Sequence, residues 1–147
     1  MTSNVKAVPD GYHTVTPYLV VEGVPRLIDF LKSAFDAVET ELVPGPDGKI
    51  GHAEVRIGDS VVMMGEASGE SKQMPAMIYL YVSDADASYK RALDAGATSL
   101  MEPADQFYGD RNAGVKDPCG NQWWVATRKE NVSPEELKRR AEARGKG

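Results

Sequence analysis

Thr16-Pro-Tyr-Leu-Val-Val21 and Met77-Ile-Tyr-Leu-Tyr-Val82 are two apolar, strand-like stretches that stand in equivalent places in this sequence. A helical pattern follows each of them, ending at Ala37 in the first case and at Ala97 in the second. The spacing is about 60 residues throughout, with a single insertion or deletion in the strand-to-helix turn, and such a repeat predicts two equivalent modules that pack together. Because paired modules commonly enclose a ligand site, we expect function to lie between them.

Working outward from these stretches, apolar alternation and turn residues predict the order βαβββ in each half of the chain. The helices are expected from Pro25 to Phe35 and from about Ala85 to Ala95, with Asp84 as the cap of the second. The predicted strands cover residues 14–21, 38–43, 50–57, 60–64, 77–82, 98–101, 113–116 and 122–126, and residues 102–111 are expected to form an irregular loop. The fold class is therefore α+β, with two βαβββ modules forming a curved mixed sheet that carries its helices on one side.

The ends of the chain differ from this repeat. Residues 1–12 are predicted to be a flexible N-terminal arm, because turn formers dominate them. Residues 13–127 then form a single domain made of two repeats, 13–66 and 76–127. Within a tail of residues 128–147, Ser133-Pro-Glu-Glu136 is a capping box that predicts an extra C-terminal helix, fraying beyond Ala143.

Composition restricts the class of partner. The chain has 147 residues, of which 41% are hydrophobic, which suits one domain with a sizeable core. Its net charge of −5 argues against a nucleic-acid partner. A single cysteine, Cys119, excludes a disulfide within the chain, and neither a signal peptide nor a membrane-spanning run is evident. We therefore expect a soluble cytoplasmic protein with no membrane partner.

Several short motifs carry a resemblance to a known family. They are Pro17-Tyr18-Leu19, His52-Ala53-Glu54, Ile57-Gly58-Asp59-Ser60, Phe107-Tyr108-Gly109-Asp110-Arg111, Asp117-Pro118 and Gly120-Asn121-Gln122-Trp123. In their order and spacing the chain resembles the vicinal-oxygen-chelate superfamily, which includes glyoxalase, bleomycin-resistance proteins and extradiol dioxygenases, and within it the PhnB-like branch. The resemblance covers about residues 14–127. It implies a half-barrel from each βαβββ unit, often completed across a homodimer.

The resemblance also assigns positions to metal ligands, and this sequence departs from them. The first strand of each module and the last strand carry Thr16, Met77 and Trp124 where metal-using relatives place His, Gln or Glu. The matching stretch of the first module, residues 62–64, offers no hard ligand either. A divalent ion needs three or four converging imidazole or carboxylate groups, so we expect no metal and no other cofactor at this family site.

Strand parity indicates what lines the hollow instead. If alternate residues of each strand face the helices, the remaining ones face the concave side, and aromatic walls with a few polar groups are typical of a small-molecule pocket. The alternative is that these aromatic side chains fill a barrel core. We expect Phe107 and Tyr108 to form a lid, and Arg111 either to clamp an anionic group or to pin its loop by pairing with Asp105, Asp110 or Asp117. The candidate ligand-binding residues are Thr16, Tyr18, Met77, Tyr79, Tyr81, Phe107, Tyr108, Arg111, Gln122 and Trp124.

His52 and Glu54 stand two apart on one predicted strand and are the candidate catalytic pair. A carboxylate beside an imidazole orients it and raises its basicity, as a general base requires. A structural hydrogen-bonded pair is the alternative. Glu66 is a further candidate carboxylate, while Cys119, in a tight turn, is more typical of a tolerated residue than of a nucleophile.

Three functional hypotheses follow. In the first, a homodimer binds a small aromatic or polar organic molecule in its cavity. In the second, the protein is a metal-independent isomerase or lyase that uses His52 and Glu54 for proton transfer. In the third, it is a metal-dependent lyase or dioxygenase whose ligands lie elsewhere in the sequence.

Overall fold

The structure, a computed structural model, describes residues 5–146. The first module contains β1 (Tyr18–Val21), α1 (Val24–Phe35), β2 (Val38–Pro44), β3 (Ile50–Ile57) and β4 (Ser60–Glu66). The second contains β5 (Met77–Tyr81), α2 (Ala85–Asp94), β6 (Thr98–Asp105), β7 (Asp110–Lys116) and β8 (Gln122–Arg128), and α3 (Pro134–Lys146) follows. The predicted pair of βαβββ modules and the C-terminal helix are therefore confirmed.

Each module forms its own four-stranded mixed sheet. The strand order is β1-β4-β3-β2 in the first sheet and β5-β8-β7-β6 in the second. In both, the first and last strands of the module pair in parallel, and the remaining neighbours are antiparallel hairpins. The parallel pair arises because the helix returns the chain across the sheet before the hairpins begin.

The helices α1 and α2 begin and end close to the residues predicted from the sequence. Gly23 adopts a left-handed conformation before α1, and Pro25 lies in its first turn. Asp84 caps α2 by accepting a hydrogen bond from the Ala87 amide at 3.1 Å. The buried face of α1 consists of Val24, Leu27, Ile28, Phe30, Leu31, Ala34 and Phe35.

One continuous apolar core joins the modules behind their sheets. Residues such as Leu19, Val55 and Trp123 point from the strands toward the helices and are fully buried. The ring of Phe35, at the end of α1, lies 5.4 Å from the Trp123 ring of the other module. On the surface, Arg91 of α2 pairs with Asp36 at 2.7 Å. The helices and these contacts hold the two modules together. The opposite face of each sheet carries no helix.

Some predicted boundaries are wrong. The stretch 102–111 is mostly strand, since β6 continues to Asp105 and β7 begins at Asp110, leaving only residues 106–109 as a turn. Register shifts on either side of Met101 allow Pro103 to sit in this edge strand. β1 begins at Tyr18 rather than residue 14, and α3 extends to Lys146.

The last residue of the N-terminal arm, Tyr12, is attached to the first sheet by a hydrogen bond. The Tyr12 hydroxyl donates a hydrogen bond to Glu54 of β3. The first four residues of the predicted arm lie outside the described residues. Across residues 5–146, no helix has both the length and the apolar character needed to cross a membrane.

Candidate functional site

Aromatic side chains lie open on the helix-free faces of both sheets. Alternation buries Leu19 and Val21 against α1, while Tyr18 projects from the other face and is 51% exposed. On β5, Tyr79 and Tyr81 project in the same way and are 40% and 61% exposed. The strand parity read from the sequence therefore places these rings on one side of each sheet, and within a single chain they remain open to solvent.

On the first sheet, polar groups gather around the predicted catalytic pair. His52 Nε2 lies 3.0 Å from Glu54 Oε2, so the pair forms a direct hydrogen bond. The other ring nitrogen, Nδ1, lies 3.2 Å from the Tyr18 hydroxyl. Tyr12 donates to the second oxygen of Glu54, and Glu41 Oε2 lies 3.8 Å from His52 Nε2. The imidazole is therefore oriented from both sides.

The Glu54 carboxylate is ionised although its side chain is only 6% exposed. Burial opposes ionisation, but hydrogen bonds from Tyr12 and His52 outweigh it and hold the pKa of Glu54 below its ordinary value. The same contact raises the pKa of Tyr12, because its proton is shared with a carboxylate. Glu54 is thus a fixed negative charge within the sheet face.

On the second sheet, a buried carboxylate organises the aromatic residues. Asp110 Oδ2 accepts hydrogen bonds from the hydroxyls of Tyr79 at 2.7 Å and Tyr81 at 2.9 Å. Arg128 Nη1 lies 3.2 Å from its other oxygen. Asn112 donates to the hydroxyls of Tyr79 at 3.1 Å and Tyr108 at 2.7 Å. Three phenol rings are therefore held in fixed positions by two strand residues of β7.

The ionisation states within this network follow from its contacts. Burial alone would favour the neutral form of Asp110, but the hydrogen bonds from Tyr79, Tyr81 and Arg128 hold its pKa below the ordinary value. Burial and the contact with Asp110 raise the pKa of Tyr79, and the Asp110 contact raises that of Tyr81. Both phenols stay protonated near neutral pH and act as donors to Asp110.

Two glycines allow aromatic rings to lie flat on the sheets. A Cβ on Gly65 of β4 would lie 2.5 Å from the Tyr18 hydroxyl oxygen, and one on Gly114 of β7 would lie 2.7 Å from the Trp124 ring. Gly65 is on the last strand of the first module and Gly114 on the last but one of the second, and each lies beneath an aromatic residue of a neighbouring strand. Glycine is therefore needed here for close approach rather than for an unusual backbone conformation.

The remaining predicted residues divide between this face and other places. Met77 and Gln122 face each other across β5 and β8, and Trp124 donates to Gln122 Oε1 at 3.2 Å. Phe107 instead lies against the C-terminal helix, with the Arg144 guanidinium 4.3 Å from its ring centroid.

Arg111 is fully engaged within the chain. It contacts Asp86 at 2.7 and 2.9 Å and Asp105 at 3.2 Å. Of the partners considered from the sequence, the structure shows Asp105, and it adds Asp86 of α2. This pairing ties β7 to the start of α2.

Three cavities adjoin these groups. One of about 890 Å³ lies between the modules and reaches Tyr79 and Tyr81. A second, of about 380 Å³, lies beneath the N-terminal arm and is lined by Tyr12, Thr16 and Glu54 among others. A third, of about 590 Å³, includes Arg111. Among the residues that the structure describes, the Tyr79–Tyr81 pair, Thr16 and Arg111 thus line three different cavities.

Five residues of these two groups were not predicted as site residues from the sequence: Glu41, Tyr12, Asp110, Asn112 and Arg128. Asp110 and Asn112 alternate on one strand, so extending β7 back to residue 110 would have placed both on the open face. Tyr12 carried no signal, because its contact with Glu54 depends on how the arm crosses the sheet.

Of the two other reactive candidates, Glu66 has a structural role and Cys119 is buried. The Glu66 carboxylate accepts hydrogen bonds from the amides of Gly23 at 2.8 Å and Val24 at 3.0 Å, and so holds the start of α1. Cys119 is buried, and burial raises the pKa of its thiol.

Comparisons with known proteins agree with this architecture. The family model of the Glyoxalase/Bleomycin resistance protein/Dioxygenase superfamily matches residues 12–125. An uncharacterized protein of Mycobacterium bovis is 39% identical over 144 residues, covering 90% of this chain and 95% of the relative. An uncharacterized protein of Mycobacterium tuberculosis is also 39% identical, covering 90% and 85%.

Solved structures share the fold. TioX from Micromonospora sp. ML1 superposes with a TM-score of 0.68 at 24% identity, covering 79% of this chain and 98% of that protein. An Arabidopsis thaliana gene product superposes with a TM-score of 0.62 at 25% identity, covering 78% and 98%.

Proposed function

The chain belongs to the glyoxalase/bleomycin resistance protein/dioxygenase superfamily, and from that premise we propose that it binds a small aromatic or polar organic molecule on its open sheet faces, in a cavity completed by a second copy of the chain. The observation that carries this proposal is the set of aromatic rings that are fixed and either exposed, as Tyr79 and Tyr81 are, or partly accessible, as Trp124 is. Tyr79 and Tyr81 are held by Asp110, and Trp124 lies on Gly114. Rings held in this way can stack on a ligand with little loss of conformational entropy.

A second copy of the chain is the proposed cover for these faces. Groups of exposed apolar side chains mark interaction sites, and here the open face of the second sheet exposes Met77, Tyr79 and Tyr81, while that of the first exposes Tyr18 beside polar groups. A two-fold axis would place the first module of one chain against the second module of its partner, twice over. The cavity between them would then contain the polar groups of both sheets.

A thermal-shift screen tests binding. Wild-type protein is heated with a panel of small aromatic acids, amides and phenols, and at least one should raise the midpoint, since a ligand at about 100 times its Kd stabilises by about 2.7 kcal/mol. Trp124→Ala should abolish that shift. Tyr89→Phe, in the helix layer, should retain it. A shift that survives Trp124→Ala unchanged contradicts the proposed site, as does the absence of any stabilising compound.

Proton transfer is a second candidate function, favoured by the His52–Glu54 hydrogen bond of 3.0 Å. An ionised, buried carboxylate fixes the imidazole, and Tyr18 engages its other nitrogen. If turnover of a bound compound is found, His52→Gln should reduce kcat by about 100-fold or more. Turnover that is intact in His52→Gln rules this candidate out.

The side chains at the three positions where metal-using relatives place their ligands do not support metal chemistry. Thr16, Met77 and Trp124 offer a hydroxyl, a thioether and an indole, which are poor ligands for the divalent ions that imidazole and carboxylate bind. We therefore do not carry glyoxalase-like or dioxygenase chemistry over to those positions.

A further inference from the structure

Three ligating side chains converge on β2 and β3 of the first module, away from the positions that the family resemblance assigns to a metal. They are Glu41, His52 and Glu54, and their ligand atoms lie within 4.8 Å of one another. We propose that they bind a divalent transition cation such as zinc, through His52 Nε2 and one oxygen of each carboxylate. This inference goes beyond the proposed binding function and does not depend on it.

The strand pairing brings the two carboxylates together. A register shift between Glu39 and Glu41 places Glu41 directly opposite Glu54 on the neighbouring strand. Like charges directly opposite each other destabilise a sheet, and β-bulges often re-aim a side chain at a functional site. A bound cation would remove this repulsion, and the bulge would serve to direct the Glu41 carboxylate at the ion.

The distances suit a small cation. His52 Nε2 lies 3.0 Å from Glu54 Oε2 and 3.8 Å from Glu41 Oε2. Ligand atoms around a tetrahedral zinc, with bonds of about 2.0–2.2 Å, are about 3.4 Å apart. These two separations lie on either side of that value, and all three ligand atoms lie within 4.8 Å of one another, so a movement of the exposed Glu41 side chain toward the other two closes the site.

The groups behind the ligands orient them as a metal site requires. Tyr18 engages His52 Nδ1 at 3.2 Å, which leaves Nε2 directed at the carboxylates. Tyr12 binds the other oxygen of Glu54. Partners of this kind fix the orientation of ligating histidines and carboxylates in known metal sites.

The charges of the three ligands and the open space beside them also favour a bound cation. Within residues 5–146, His52 is the only basic side chain within salt-bridge distance of Glu41 or Glu54, so two carboxylates share one imidazole. The cavity of about 380 Å³ beneath the N-terminal arm is lined by both carboxylates and provides an entry path. Three protein ligands beside open space leave a coordination position for water or a ligand.

The cation and the proton-transfer candidate both use the His52 ring, through different nitrogens. In the metal-free protein the ionised Glu54 accepts the proton of Nε2, so the lone pair of a general base is on Nδ1, beside the Tyr18 hydroxyl. A cation would take the place of the Nε2 proton. Glu41 separates the two candidates, because it is a ligand of the cation and its carboxylate lies 3.8 Å from His52 Nε2, beyond hydrogen-bond distance.

The test is titration of the metal-free protein with zinc chloride, followed by calorimetry. We expect one zinc per chain. Glu41→Gln should weaken binding by at least about tenfold, His52→Gln should abolish it, and Tyr18→Phe should weaken it by about 10-fold or more. Glu102→Gln, an exposed glutamate on the equivalent edge strand of the second module, should leave it unchanged. Magnesium should bind far more weakly, because imidazole does not suit it.

Folding of the variants is checked without metal. Metal-free Glu41→Gln should melt at the same temperature as the wild type or higher, because an amide at this position removes the like-charge contact with Glu54 and can still donate a hydrogen bond to that carboxylate. The proposal is overturned if zinc does not bind stoichiometrically, if Glu41→Gln binds it as tightly as the wild type, if Glu102→Gln weakens it equally, or if magnesium binds as well as zinc.

Discussion

At the scale of single residues, Asp110 is the charge on which the second sheet face depends. It is buried, and Tyr79, Tyr81 and Arg128 all direct hydrogen bonds to it. Removing its charge leaves these donors without an ionised acceptor. The positions of the aromatic rings thus depend on a residue that contacts no ligand in the proposal.

Asp110→Asn should change how stability depends on pH. Because contacts lower the pKa of Asp110 in the folded state, its contribution is full above the unfolded value of about 4 and is lost as the pH falls below that value. Urea unfolding should show Asp110→Asn weaker than the wild type by about 1–3 kcal/mol at pH 7. The difference should shrink at pH 3, and a constant difference at both pH values would contradict the assignment.

Asp117 should be among the most sensitive positions for stability. Its carboxylate accepts hydrogen bonds from the amides of Cys119 and Asn121 and from the Trp123 indole, all of them buried. Asp117→Ala should cost about 3 kcal/mol or more of unfolding free energy, because several buried donors lose their acceptor. Asp47→Ala is the control, since that exposed carboxylate accepts one amide in the turn after β2. Equal losses in the two variants would show that the buried network is not decisive.

Residue-level prediction from the sequence succeeded where a strand's period alone decides the outcome. Tyr18 and Tyr79 lie on the face opposite the buried Leu19 and the half-buried Ile78 because alternation is a local property. The partner of Arg111 could not be read in this way. Asp86 is on α2, and only the packing of that helix against β7 brings the two charges together.

At the scale of elements, α3 holds the turn that connects β6 to β7. Arg140 donates to the Phe107 carbonyl at 3.0 Å and pairs with Glu130 at 2.6 Å and with Glu136 at 2.8 Å. Gly109 lies against the chain before the helix, where a Cβ would meet the Glu130 carbonyl at 2.6 Å. The sequence predicted α3 from its capping box, but gave no indication of where the helix docks.

Arg140→Ala should loosen this turn without unfolding the sheets. The Gly109 amide, which donates to the Gln106 carbonyl, should exchange its hydrogen faster, because the turn loses its tether to α3. Arg139→Ala is the matched control, since within residues 5–146 the salt-bridge partner of Arg139 is Glu136, on the same helix. Unchanged exchange in Arg140→Ala would show that α3 does not restrain the turn.

Gly114→Ala should displace a ring of the proposed site. The new methyl group would lie 2.7 Å from the Trp124 ring, so the indole must move off the sheet. We expect an altered near-ultraviolet circular dichroism spectrum and loss of the thermal shift given by any compound found in the screen. Gly145→Ala, in open space on α3, should change neither. An unaltered spectrum in Gly114→Ala would mean that Trp124 is not seated on this glycine.

At the scale of the whole molecule, the repeat was visible in the sequence but the arrangement of its halves was not. Equivalent strand–helix patterns predicted two like modules, and both sheets indeed have the same strand order. Packing of Phe35 on Trp123, and of α1 on α2, connects residues far apart in sequence and carries no local pattern. This packing leaves the two aromatic faces open and so determines what a second copy would have to cover.

The proposed dimer is tested by its mass in solution. Sedimentation equilibrium should give twice the 16.0 kDa of one chain. Tyr81→Glu, which adds a charge to an open face, should shift the equilibrium toward the monomer. A wild-type protein that is monomeric at high concentration would contradict the covering of these faces by a second copy.

The most direct test is a crystal structure of the protein soaked with the compound that gives the largest thermal shift. We predict one molecule of that compound stacked on Trp124, Tyr79 or Tyr81 of one chain, with the first sheet of the partner chain closing over it. Coordinates in which the compound lies away from these rings, or in which the two sheet faces pack directly on each other and leave no space, would contradict it.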